Sequence, residues 1–133
     1  MECSIPASAS HLAGLRRTVR DCLREVPGEA AEEVLLALNE AATNAILHGS
    51  HGGQPVEVTV RVEDDWIEAS VLDHGPARPV AAPSGGGADR YRARGRGLWI
   101  LRRLVDELRL ERVNRGTRVT LRRRIGPPEA LRR

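Results

Sequence analysis

The sequence predicts an α+β fold, a two-layer α/β sandwich in which three helices cover one face of a mixed, mostly antiparallel sheet of about five strands. Two observations predict it. Amphipathic helical segments and alternating strand segments are both present, and tight turns join the strands in pairs, which favours antiparallel neighbours. A chain of 133 residues can bury one hydrophobic core. We therefore expect a single domain over residues 1–125 and a flexible tail over residues 126–133, which begins Gly-Pro-Pro.

The first part of the chain predicts one strand and two helices. Ser4–Ala7 is the expected first strand, and Ser10 is the expected N-cap of the first helix. The apolar residues of this helix recur at intervals of three and four: Leu12, Leu15, Val19, Cys22, Leu23 and Val26. A Pro-Gly pair then ends it. A second helix is expected from about Glu29 to His48, because Gly49 can take the left-handed conformation that ends helices.

Four further strands and a third helix are expected in the rest of the chain. Valines alternate with polar residues over Val56–Glu63, which is typical of a half-buried strand, and Trp66–Leu72 returns after a tight turn. A long loop follows over Gly75–Arg94. The remaining expected elements are a helix over Gly97–Asp106 and a hairpin of the strands Glu107–Val113 and Thr117–Arg124.

Composition excludes several classes of function. All 21 basic residues other than histidine are arginines, so phosphate loops that need a lysine and covalent catalysis by lysine are excluded. Two tryptophans, one tyrosine and no phenylalanine are too few aromatic rings for a platform that stacks single-stranded bases. The two cysteines lack the spacing of a disulfide framework or a zinc site. No apolar run of membrane-spanning length and no signal-peptide pattern are found, so we expect a cytoplasmic protein that does not enter a membrane.

Charge is distributed unevenly along the chain. From Arg90 onward, 15 arginines stand against 4 acidic residues, a net charge of +11, whereas residues 1–89 carry a net charge of −8. A basic segment of this kind also occurs in proteins that bind nucleic acid. Here, arginines such as Arg118 and Arg122 alternate with apolar residues, which is typical of a solvated sheet face. We therefore expect no direct binding of nucleic acid.

A polar stripe on the second helix carries candidate chemistry. Glu40, Asn44 and His48 lie one turn apart, opposite the apolar arc of the helix. Their neighbours include Leu36 and Leu47 rather than charged residues, which predicts the wall of a cavity. An asparagine oxygen suits Mg²⁺, and a carboxylate one turn earlier can take a proton from a hydroxyl beside that ion. A polar stripe packed beneath a loop would show the same spacing and is the alternative.

Two glycine-containing turns and the start of the last strand carry the other candidate binding residues. Asp73 ends a strand and can accept a hydrogen bond from an exocyclic amine, while Gly75 lets a flat ring approach the backbone. A plain turn is the alternative at this pair. The hydroxyl of Thr117 can reach the same base pocket. Phosphates can bind where a helix begins after a Gly-x-Gly segment flanked by arginine, here Arg94, Gly95, Arg96 and Gly97.

These segments resemble the nucleotide-binding boxes of the GHKL ATPase superfamily, the Bergerat fold. The matching segments are Leu38–Gly49, Val71–Gly75, Gly95–Asp106 and Gly116–Thr117. Within the superfamily, the chain is similar over nearly its whole length to the small anti-sigma-factor serine/threonine kinases. One position departs from the family pattern, because Ala77 stands where a further glycine is usual, at the start of the lid over residues 76–94.

The resemblance implies roles for single residues. Glu40 would be the general base, Asn44 the Mg²⁺ ligand, and Asp73 the residue that reads adenine. The implied nucleotide-binding set also contains His48, Gly75, Arg94, Gly95, Arg96, Gly97, Leu98 and Thr117.

The resemblance also implies an activity and its partners. It implies an ATP- and Mg²⁺-dependent serine/threonine protein kinase that binds a sigma factor and phosphorylates an antagonist, the anti-anti-sigma protein. Members of this family are often homodimers. A catalytically silent ATP-binding adaptor that sequesters a partner would share the same pocket and is the alternative. A fragment of a sensor histidine kinase fits less well, because the sequence predicts no helical hairpin with a phosphoacceptor histidine.

Overall fold

The computed structural model describes residues 1–49, 54–75, 97–114 and 116–126. The strands of this part are β1 (Glu2–Ile5), β2 (Val56–Glu63), β3 (Trp66–Asp73), β4 (Glu107–Val113) and β5 (Gly116–Arg124). They form one sheet in the order β1-β2-β3-β5-β4, and every neighbouring pair is antiparallel. The α-helices are α1 (Leu12–Cys22), α2 (Ala30–Asn44) and α3 (Gly97–Leu104). The predicted fold class is therefore confirmed, with an antiparallel rather than a mixed sheet.

The core lies between the helices and one face of the sheet. Alternation along the strands places every second side chain on the helix-covered face. Val56, Val58 and Val60 of β2 are buried there, as are Ile67, Ala69 and Val71 of β3 and Val119 and Leu121 of β5. Val62 continues the alternation of β2 but is 44% exposed, so the expectation that the whole valine row is half-buried is wrong at the end of the strand.

Helix α2 is the central helix of the domain. Eight of its residues are buried, and it packs against both other helices and against β3 and β5. The sequence predicts one continuous helix to His48, whereas the α-helical hydrogen bonding ends at Asn44 and a π-helical turn continues over Ala45–Gly49. Such turns are rare and occur often at functional sites.

The ends of the first elements differ from the prediction. β1 is Glu2–Ile5 rather than Ser4–Ala7, because its register pairs Glu2 with Thr59 and the Met1 ammonium donates to the Val60 carbonyl at 2.9 Å. The N-cap is Ser8, whose side-chain oxygen accepts from the backbone N–H of Ser10 at 3.4 Å ahead of a 3₁₀ turn, and α1 starts after that turn. Backbone pairing and capping geometry thus move both boundaries by two residues.

Acidic residues connect the helices to the last strand. Helix α3 ends at Leu104 rather than at Asp106, because the Asp106 carboxylate accepts the backbone N–H of Arg124 at 2.6 Å and its own N–H donates to the Arg122 carbonyl at 2.8 Å. Arg123 donates from Nε to Glu33 of α2 at 2.7 Å. These contacts hold the N-terminal part of α2 and the end of α3 against β5.

Within the described ranges, no helix combines the length and the apolar character that crossing a bilayer requires.

The two cysteines are expected to differ in reactivity. Cys22 was predicted on the apolar side of the first helix, but it is exposed, because α1 turns this position away from the core. Burial raises the pKa of the Cys3 thiol, and the nearby N-terminal ammonium lowers it by less. A raised thiol pKa leaves less reactive thiolate at pH 8.

We expect iodoacetamide to label Cys22 several-fold faster than Cys3, as measured by peptide mass spectrometry. Equal labelling rates in the folded protein would contradict this, and equal rates in denaturant are the control.

Candidate functional site

Two of the candidate residues, Asp73 and Thr117, lie side by side at one end of the sheet. Asp73 is the last residue of β3, and the register of the sheet pairs it with Thr117 near the start of β5. The C-terminal part of α2 lies above these strands, since α2 and the π-helical turn after it both contact β3. β3, β5 and the π turn after α2 are distant in sequence and are neighbours in the fold.

The Asp73 carboxylate is held in place by the backbone. The residue is only 2% exposed, and its Oδ1 accepts the N–H of Gly75 at 2.9 Å and the N–H of Thr117 at 3.2 Å. Two donors on one oxygen fix the orientation of the carboxylate. Thr117 is itself 2% exposed. The predicted partners Asp73, Gly75 and Thr117 are thus brought together in one buried cluster.

Gly116 is a site residue whose role the sequence analysis did not identify. A Cβ on Gly116 would lie 1.8 Å from the Asp73 carbonyl oxygen and 2.8 Å from its carbonyl carbon. Any side chain at this position would push the two strands apart where Thr117 bonds to Asp73. An isolated glycine at the start of a strand is a known indication of close backbone approach, and this signal was available in the sequence.

Asn44 carries the clearest unfulfilled hydrogen-bonding capacity of the site. It is 2% exposed, and neither its Oδ1 nor its Nδ2 has a hydrogen-bond partner in the part of the chain that the structure describes. Burying an amide without partners costs about 1–3 kcal/mol. Such a group in a native protein indicates a ligand or ion that completes its coordination.

Glu40 stands one turn before Asn44 on the same side of α2. Positions four apart on a helix lie about 6 Å apart along its axis. The side chain is half-buried, and no hydrogen bond or ion pair to it is found among the described residues. A carboxylate without a fixed partner beside an unsatisfied amide can accept a proton or orient a hydroxyl.

The predicted apolar wall around this stripe is only partly present. Ala37 is fully buried between the helices, but Leu36 is 59% exposed and Leu47 is 51% exposed. The side of α2 next to Glu40 is therefore open to solvent, because no described element covers it. The expectation of an enclosed wall is correct for Asn44 and wrong for these two leucines.

A contact between a histidine and a carboxylate lies at the exit from β3. His74 Nε2 is 2.5 Å from Glu57 Oε2, which belongs to the neighbouring strand β2. This contact ties the first residue after Asp73 to the sheet and so restricts the direction in which the chain leaves the site.

Several predicted residues are described in part or not at all. His48 lies in the π turn, and Gly97 and Leu98 form the first turn of α3, so their backbone positions at this end of the domain are known. Arg94, Gly95, Arg96, Ala77 and the lid lie outside the described residues, as do residues 127–133 of the tail.

A match to a known family model shows which family this chain belongs to. The model of the histidine kinase-like ATPase domain matches residues 5–123, nearly the whole chain. The chain belongs to this ATPase domain family. The segments quoted above, from Leu38–Gly49 to Gly116–Thr117, fall within the match, so the resemblance to GHKL ATPases is confirmed.

Curated relatives of this ATPase domain extend the comparison. The chain is 32% identical over 107 residues to the anti-sigma F factor of Geobacillus kaustophilus, covering 74% of the chain and 73% of that protein. It is 29% identical over 92 residues to the serine-protein kinase RsbW of Listeria monocytogenes, covering 62% of the chain and 59% of the kinase. The chain therefore matches little more than half the length of the RsbW relatives.

Solved structures share the fold of this ATPase domain. The RsbU and RsbW domains of a Mycobacterium tuberculosis protein align with a TM-score of 0.69 at 22% identity, over 96% of the chain and 33% of that structure. A blue-light activated histidine kinase of Erythrobacter litoralis aligns with a TM-score of 0.62 at 22% identity, over 96% of the chain and 44% of that structure. At these identities the likeness supports the fold alone.

Proposed function

We propose that this ATPase domain is an ATP- and Mg²⁺-dependent serine/threonine protein kinase that acts as an anti-sigma factor and phosphorylates an antagonist, the anti-anti-sigma protein. The observation that carries the proposal is the buried amide of Asn44, which has no hydrogen-bond partner among the described residues and lies one helical turn from Glu40. Among its relatives, the anti-sigma F factor supports a sigma factor as partner, and the serine-protein kinase RsbW supports the kinase activity.

The β3–β5 cluster would bind the base of the nucleotide. Asp73 is buried and oriented by two backbone donors, so its carboxylate can accept a hydrogen bond from the exocyclic amine of adenine. Thr117 adjoins it in the sheet and would line the same pocket. The start of α3 at Gly97, with Leu98 after it, would present backbone N–H groups to the phosphates, because helix N-termini favour anions. Arg94, Gly95 and Arg96 would add to this phosphate site, and His48 to the α2 side.

Asn44 fits the requirements of a Mg²⁺ ligand. The ion prefers oxygen ligands and keeps several waters, so one protein amide together with nucleotide phosphates is a usual set. The Oδ1 of Asn44 is an oxygen without a partner among the described residues. Bound Mg²⁺ would neutralise charge on the phosphates during transfer.

Glu40 would act as the general base. It would take the proton of a serine or threonine hydroxyl of the antagonist as that oxygen attacks the γ-phosphorus of ATP, and ADP would leave. Exposure of the neighbouring Leu36 and Leu47 is consistent with this role, because a protein substrate must reach the carboxylate from solvent. Assembly as a homodimer, as is frequent in the family, is part of the same proposal.

Asn44→Ala tests the metal and nucleotide assignment. In titration calorimetry, Mg²⁺ should tighten ATP binding to the wild type, and this enhancement should fall by about tenfold or more in the variant, since a ligand to the ion is lost. The free energy of unfolding of the nucleotide-free protein should not fall, because the substitution removes an amide without a partner among the described residues, whose burial costs about 1–3 kcal/mol. If Asn44 were purely structural, the substitution would lower the free energy of unfolding and leave the Mg²⁺ enhancement of ATP binding unchanged.

Asn39→Ala is the matched control on the same helix. Its Oδ1 accepts from Arg16 at 3.1 Å, so this substitution should lower stability and leave the Mg²⁺ enhancement unchanged. If the wild type bound no ATP, the proposed function would be wrong. If it bound ATP but transferred no phosphate to a cognate antagonist, the protein would be a nucleotide-binding adaptor instead.

A further inference from the structure

Arg112 lies in the same cross-strand row as the candidate base-binding residues. The register of the sheet places it on β4 opposite Thr117, and Thr117 lies opposite Asp73. Neighbouring strands are about 4.8 Å apart, so the row spans about 10 Å from Asp73 to Arg112. This row crosses the end of the sheet at which the site is built.

Arg112 also lies on the helix-covered side of the sheet. Side chains alternate along a strand, and Leu108 and Leu110, at even positions of β4, pack against the core. Arg112 continues this series. Helix α3 packs against β4, and its first residue, Gly97, belongs to the proposed phosphate-binding segment. Arg112 therefore faces the layer of the fold that contains α3.

Among the described residues, Arg112 differs from Arg118 and Arg122 of the neighbouring strand, each of which has a carboxylate nearby. Arg118 is 3.8 Å from Glu111, and Arg122 is 3.0 Å from Glu107. Within the described residues, Arg112 has no carboxylate at ion-pair distance, and it is exposed. An unneutralised guanidinium beside a pocket attracts anions and can donate two parallel hydrogen bonds to a phosphate.

We propose that Arg112 is a further nucleotide-binding residue whose guanidinium contacts the phosphate groups of the bound nucleotide. The inference rests on the proposed function, since it requires that this site binds ATP. It assigns phosphate recognition to β4 in addition to the start of α3.

Arg112→Ala tests the inference, with Arg109→Ala as the matched control. Arg109 lies on the same strand, is exposed and pairs in register with Thr120, but alternation places it on the opposite face of the sheet. Calorimetry with ATP, and competition with adenosine, would measure both affinities at low salt. We expect Arg112→Ala to weaken ATP binding by about tenfold and adenosine binding hardly at all, because adenosine has no phosphate. Arg109→Ala should change neither affinity.

Two further measurements distinguish the loss of the Arg112 charge from a change in the fold as the cause of weaker ATP binding. The tenfold difference should shrink at high salt, where an exposed charge is screened, and Arg112→Lys should restore part of the affinity. Unchanged ATP binding by Arg112→Ala, an equal loss for ATP and adenosine, or an equal loss in both alanine variants would overturn the inference while leaving the proposed function intact. Failure of the wild type to bind ATP would overturn the proposed function and this inference with it.

Discussion

Glu40→Gln is expected to lower the rate of phosphate transfer from ATP to the antagonist protein by about 10²–10⁴-fold, the usual contribution of a positioned general base. Glutamine has nearly the same shape as glutamate but cannot take up the proton of the attacking hydroxyl. The half-buried carboxylate has no ion pair within the described ranges, so its removal disturbs no structural contact there. ATP affinity, measured by calorimetry, should therefore stay close to that of the wild type.

Glu32→Gln provides the control for this substitution. Glu32 lies in the first turn of α2, two turns before Glu40, and is exposed. The same loss of charge at that position should leave phosphate transfer unchanged. The role of Glu40 would be disproved if Glu40→Gln transferred phosphate at the wild-type rate, as measured by radiolabel on the antagonist in single-turnover reactions.

Gly116→Ala is expected to have the largest effect on stability. The added Cβ would lie 1.8 Å from the Asp73 carbonyl oxygen, and its contacts are backbone atoms that cannot rotate away. We expect a loss of about 3 kcal/mol in the free energy of unfolding and a fall of about 10 °C in the melting temperature. Because strands β3 and β5 must separate at this point, the hydrogen bond from Thr117 to Asp73 should break and ATP binding should be lost.

Gly14→Ala is the matched glycine control, with an effect of opposite sign. A Cβ on Gly14 would meet only the end of the Arg17 side chain, at 3.9 Å. Because Gly14 lies inside α1, alanine should stabilise the protein by up to about 1 kcal/mol. Thermal unfolding of both variants tests the pair. A melting temperature for Gly116→Ala equal to that of the wild type would show that the strand contact at Gly116 does not matter.

Much of the fold could be predicted because its local signals agree with one another. The alternating valines of β2 and the three-and-four spacing of α1 and α2 depend only on which face of each element is buried. The boundaries were less predictable. Ser8 rather than Ser10 caps the first turn, and Asp106 bonds to Arg124 instead of extending α3. Those choices depend on contacts between segments far apart in the chain.

The sequence by itself determined the layered α+β architecture, the family, and the candidate residues Glu40, Asn44 and Asp73, because periodicity and motif spacing are local properties. Only the tertiary structure decided that Gly116 lies against Asp73 and that Arg112 stands in line with Thr117. It also decided that the Asn44 amide is buried with no partner among the described residues. The physical reason is the same in each case. Strand register and helix packing bring together residues that are distant in sequence, and only in the assembled sheet is it settled which polar groups are satisfied and which are left to bind a ligand.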